Sequence, residues 1–135
     1  MTTKVRVVKH SPRVYRATQT AMGQAMEFTL EYAVREARGL ASRPFPPKSE
    51  PGEPPRQRTG ELKQSIKVLD VTEAKTYVLG IFGTTIDYGR WLELGSTEMA
   101  ARPFLRPALD LTIKEVPKLL KKAFGRTFRI SGAVK

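Results

Sequence analysis

Six of the chain's ten prolines fall within residues 44–55, at Pro44, Pro46, Pro47, Pro51, Pro54 and Pro55. Each removes a backbone donor and pushes the residue before it out of the helical region. Neither a helix nor a central strand survives such a run. Residues 43–58 are therefore an extended loop, expected to project from the body and to be mobile in the isolated protein. A compact domain rarely keeps so long a loop without a use, and ordering on assembly is one such use. The loop divides the 135 residues into a helical first part and a mixed second part.

Before the loop the pattern is simple. Ser11 followed by Pro12 is a good helix entry, with a capping hydroxyl and a proline at the first position. From there to about Ser42, Val14, Thr18, Ala21, Ala25, Phe28 and Tyr32 recur every three or four residues. Met22, Met26, Ala33, Ala37 and Leu40 widen the same stripe. Such a helix would run roughly 45 Å. Residues 4–9 alternate charge and valine, which reads as an edge strand or a mobile arm.

After the loop, Thr59-Gly60 opens a short turn. Residues 66–71 and 76–83 alternate as two strands, with Tyr77, Leu79 and Ile81 opposed to Val78, Gly80 and Phe82. Residues 72–75 join them as a hairpin. Asp87 is placed to cap a helical turn carrying Tyr88, Trp91, Leu92 and Leu94, and Gly95 to end it with a positive φ. A last helix is expected from Pro103 to about Phe124, striped by Leu105, Ala108, Leu109, Ile113, Val116, Leu119, Leu120 and Phe124. Pro117 should kink or split it, and Gly125 should end it. Residues 126–135 then form a tail, with a short strand through Phe128 and Ile130. The fold class is α+β in one domain over residues 1–135: a long N-terminal helix, a small antiparallel sheet and a C-terminal helix. Residues 1–11 form a basic arm. Trp91, Phe104 and Leu105 are the expected core of the second part.

Charge placement matters more than its size. The net charge is +11, and residues 21–115 hold all thirteen acids and thirteen bases. The whole excess therefore sits in residues 1–20 and 116–135, which carry no acid. Basic ends on a neutral body point to a nearby polyanion or to acidic surfaces on a partner. Lys118, Lys121 and Lys122 share one face of a helix and are the strongest phosphate contacts.

Chemistry is poorly served. There is no cysteine, and the one histidine, His10, lies in the basic arm. No metal cage, phosphate-binding glycine loop or histidine-assisted nucleophile is present in the sequence, so no enzymatic role, metal or cofactor is expected. No apolar run has the length of a membrane span or the form of a signal peptide, so no membrane partner is expected.

Two motifs carry a resemblance. The first is Tyr88-Gly89, then Leu92-Glu93-Leu94-Gly95-Ser96, then Met99-Ala100-Ala101-Arg102-Pro103-Phe104-Leu105-Arg106-Pro107-Ala108-Leu109. The second is Thr59-Gly60-Glu61-Leu62-Lys63-Gln64-Ser65-Ile66. In this order they resemble a family of tailed-phage tail-component, neck and tail-completion proteins. The resemblance implies a structural virion protein of the head–tail junction, made in the host cytoplasm and placed as a subunit of a homo-oligomeric ring. Its partners would be other connector and tail proteins, with packaged duplex DNA within reach of the basic ends. Glu93, Glu98, Met99, Arg102 and Arg106 become interface candidates, with the two arginines pairing Glu93 or Glu98 of the same or the next subunit. The alternative is a basic, non-specific nucleic-acid-binding protein outside a virion.

Overall fold

The computed structural model describes residues 12–130. The basic arm and residues 131–135 lie outside them. The order is α1 (Pro12–Leu40), α2 (Glu61–Ser65), β1 (Ile66–Glu73), β2 (Val78–Thr84), α3 (Asp87–Leu94) and α4 (Leu105–Ile130). The architecture is α+β, as the periodicities predict. Helix α1 is the spine: both α4 and the β1–β2 hairpin pack along it.

Two covering elements explain why the buried residues of α1 do not form one stripe. Ala17, Ala21, Ala25, Leu30, Ala33, Val34 and Ala37 are all buried, together with Ala41 just beyond the helix. Most are alanines, so helix and neighbours can approach closely. Helix α4 answers with small residues of its own: Ala108, Thr112, Ala123 and Thr127 are buried. The helices run antiparallel. Thr127 Oγ1 meets Gln24 Oε1 at 3.2 Å, and Phe104 clusters with Ala37 and Ala41 near the far end of α1. The hydroxyl of Thr112 is satisfied within its own helix, donating to the Ala108 carbonyl at 2.7 Å.

The hairpin is antiparallel, with Ile66 opposite Thr84 and Glu73 opposite Val78. The register shifts between Val68 and Asp70, leaving Leu69 as the extra residue of a bulge. The bulge moves Val71 to the place opposite Gly80, where unbroken alternation would not have put it. Gly80 marks the close approach to α1. A Cβ there would stand 2.6 Å from Met26 Sδ and 2.8 Å from Leu30 Cδ1. The opposite face, with Leu69, Leu79 and Ile81, is exposed.

Several sequence expectations are corrected. Helix α4 starts at Leu105, not Pro103, and runs through Pro117 and Gly125 to Ile130. There is thus no stop at Gly125 and no strand at residues 126–130: the packing against α1 continues to Thr127 and holds the helix. Asp87 is the first residue of α3 rather than its cap. Ile86 holds the cap position without a side-chain bond, and its own N–H donates to Thr84 Oγ1 at 3.2 Å. The proline loop does not project. Gln57 N donates to Arg43 O at 2.7 Å, Gly52 N to Ala101 O at 2.9 Å, and both Ser49 and Pro55 are buried.

The largest correction concerns the aromatic core. Phe104 is fully buried and Leu105 packs beside it, but Trp91 is 51 % exposed. Helix α3 turns Gly89, Leu92 and Glu93 inward, and the residues one step away outward. Phe104→Ala should therefore cost about 3–5 kcal/mol, the range for a buried aromatic. Trp91→Ala should cost less than about 1 kcal/mol. Urea unfolding of the two variants checks the contrast; equal losses would place Trp91 back in the core.

Candidate functional site

The two motifs meet at one end of α1. Ile66 and Phe104 are buried there, with Leu62, Leu92 and Leu105 packed against them. Around this cluster, residues 88–109 form a tight unit. Gly95 ends α3 at φ 77°, and its N–H donates to Trp91 O at 2.8 Å. A Cβ at Gly95 would stand 2.9 Å from Ala101 N, so the returning chain needs glycine there twice over. Ser96 organises the turn: its N–H donates to Met99 O at 2.8 Å, and its Oγ accepts from Met99 N at 3.1 Å. Arg102 N then closes the loop onto Leu92 O at 2.6 Å.

Glu93 holds the unit together. Its Oε2 accepts from Phe104 N at 2.8 Å and Leu105 N at 2.9 Å, and its Oε1 from Arg106 N at 2.8 Å. A helix begins with four N–H groups that lack intrahelical partners. Here the fourth position is Pro107, which has none to offer, so one carboxylate satisfies every donor of the first turn. The negative charge also meets the positive end of the helix dipole.

Glu93 is thus no partner for Arg102 or Arg106 within the chain. Arg102 Nε and Nη2 instead both donate to Ser49 O at 3.3 Å, and Nη1 to Ala100 O at 3.4 Å. It pins the proline loop to the signature loop. Arg106 Nε faces Asp110 Oδ1 at 3.4 Å in an exposed pair of small energetic weight. Glu98 is exposed and Met99 half-buried.

Between the two loops lies a cavity of about 700 Å³. Phe45, Pro55, Tyr88, Leu92 and Met99 give it an apolar lining. Lys48, Arg56, Arg58, Lys63 and Arg102 face it against two acids, Glu61 and Glu98. The Arg58 guanidinium stacks 4.7 Å from the Phe45 ring centroid. Arg56 Nε is buried with no hydrogen-bond partner among the described residues. Partial burial, and then the Glu61 carboxylate, raise the Tyr88 phenol above its ordinary pKa, so it stays neutral. Sequence reasoning missed this cavity, since its walls are some forty residues apart in the chain. The basic residues scattered among the loop prolines were the available signal.

The lysines lie elsewhere, on α4. Lys118 Nζ is 3.0 Å from Glu115 Oε1, and Lys122 Nζ is 4.8 Å from the Phe28 ring centroid. With exposed Lys121 they share one helical surface, as the spacing predicts. Among the described residues no group of histidine, cysteine, aspartate or glutamate could hold a metal, and no helix is long and apolar enough to cross a membrane.

Two outcomes follow from this geometry. Glu93→Ala leaves three donors without their acceptor and should destabilise the fold by about 2–3 kcal/mol, with Glu93→Gln losing less because one acceptor oxygen remains. Denaturant titration of both variants measures this; equal losses would mean packing rather than capping is at stake. Arg102→Ala should free the proline loop and raise the rate of proteolytic cleavage within residues 43–58 severalfold, read by limited proteolysis.

Family models, curated proteins and solved structures offer no match to this chain.

Proposed function

We propose that the chain is a structural virion protein of the phage head–tail connector, a ring subunit that completes the tail or joins it to the head. The motif resemblance supports this reading. The observation that carries the assembly role is the apolar surface a single copy leaves uncovered. Leu94 on α3 is 70 % exposed, Tyr77 beside the hairpin turn 55 %, and Ile113 on α4 58 %. Neighbours extend each: Trp91 beside Leu94, Leu79 and Ile81 along the hairpin, Leu109 and Leu120 along α4. Contiguous exposed apolar surface marks interaction sites.

These patches lie on three separate elements. Contacts between unlike patches are heterologous, and they close into a ring when the rotation permits. Lys118, Lys121 and Lys122 suit a weak, sequence-independent contact with duplex DNA in the channel of such a ring.

Leu94→Asp tests the assembly role. The folded monomer should lose no more than about 0.5 kcal/mol, since the side chain is exposed. Ring formation, followed by solution mass and by reconstruction of the virion neck, should fail, and heads should remain unjoined to tails. Joined particles at normal yield would refute the role of α3. Neutral substitution of Lys118, Lys121 and Lys122 tests the channel contact separately: intact particles with altered DNA retention support it. Failure to join heads to tails would assign the lysines to a protein partner instead.

A further inference from the structure

The base of the hairpin packs near the cavity end of α1, and its turn end lies well away from the cavity along the helix. A Cβ on Gly23 would stand 2.6 Å from Glu73 Oε1, which places the turn end of the hairpin over the first half of the helix. The cavity wall includes Ala41, just past the helix end. The rise between the two positions is about 27 Å. The hairpin of one copy cannot reach its own cavity.

Their chemistry is complementary. The cavity combines an apolar lining with five basic side chains against two acids. Its wall carries the one buried donor, Arg56 Nε, that no acceptor meets among the described residues. The end of the hairpin offers exposed Tyr77, Leu79 and Val71 beside exposed Asp70 and Glu73, with Lys75 as its only base. Residues 1–11 and 131–135 carry bases and no acids, so like charge disfavours them as occupants.

We propose that the hairpin end of one copy, residues 70–79, seats in the cavity between the proline loop and the signature loop of the next. This rests on the ring reading above and names the contact that would build the ring. Tyr77 enters the apolar part, and the Asp70 carboxylate turns toward the arginines and lysines of the rim, while Glu73 stays over Gly23 of its own α1. Charge-assisted bonds to the basic rim fix the register. Because the two partners of the contact are different surfaces, it propagates head to tail.

The absence of native cysteine makes a direct test clean. Tyr77→Cys is combined with Lys48→Cys on one cavity wall, and separately with Met99→Cys on the other. A short bis-maleimide is added to the full-length protein at concentrations where solution mass shows assembly. Each pair should give a ladder of covalent multimers on a denaturing gel. Tyr77→Cys with Gly125→Cys, on α4 where an added side chain meets nothing within 4 Å and outside the apolar patches, should give at most a dimer. In parallel, Asp70→Lys and Arg58→Glu should each weaken assembly about tenfold or more, and the double variant should recover most of it.

Assembly by mass with no ladder from either wall, and no recovery in the charge swap, overturns the docking while leaving the ring reading intact. A ladder equal in the Gly125→Cys control also overturns it. A protein that stays monomeric at every concentration, and gives no ladder in assembled particles, overturns both.

Discussion

The Glu93 carboxylate is the point on which the second half of this protein turns. It sits on α3 and completes the first turn of α4, holding three backbone donors within 2.9 Å. Without it, two helices would meet at a loop whose part-buried Phe104 and Leu105 N–H groups have no acceptor in the chain. The sequence around it is consistent with that single demand. Gly95 allows the reversal, Pro107 removes the one donor the carboxylate could not also reach, and Phe104 is carried into the core by the same turn. Local chemistry at one acid therefore sets the direction of a 26-residue helix.

A second constraint is the small-residue seam between α1 and α4. Alanines on one helix meet alanine and threonine on the other. Close approach raises packing density but gives little apolar area per residue. The larger side chains of α4, Leu109, Ile113 and Leu120, are displaced to a flank and stay exposed. The same logic holds for the hairpin, where Gly80 brings the sheet close to α1 and Leu79 and Ile81 face away.

That logic separates what was legible in the sequence from what was not. The long helix, the two strands and the Gly95 stop follow from period and from glycine's conformational freedom, and each is in the structure. Side-chain size misled where backbones approach closely. Trp91 and Leu92 lie on adjacent faces of α3, and the inward face is the one where Gly89 leaves room for β2. Reading the largest residue as the core puts the helix the wrong way round. The docking of the proline loop was hidden for another reason. Its ties run to the carbonyls of Ser49 and Ala101, and any residue supplies a carbonyl. Glu93 and Arg102 read as candidates for an ion pair at an interface, but their partners within the chain are backbone groups, which leave no complementary charge in the sequence.

The alanine seam has a consequence for the chain on its own. A thin core leaves a single copy with a small free-energy margin, and any contact with another molecule would add to it by mass action. Dilute copies would open more often and be cleaved by proteases in that state, while copies held in a contact would be protected.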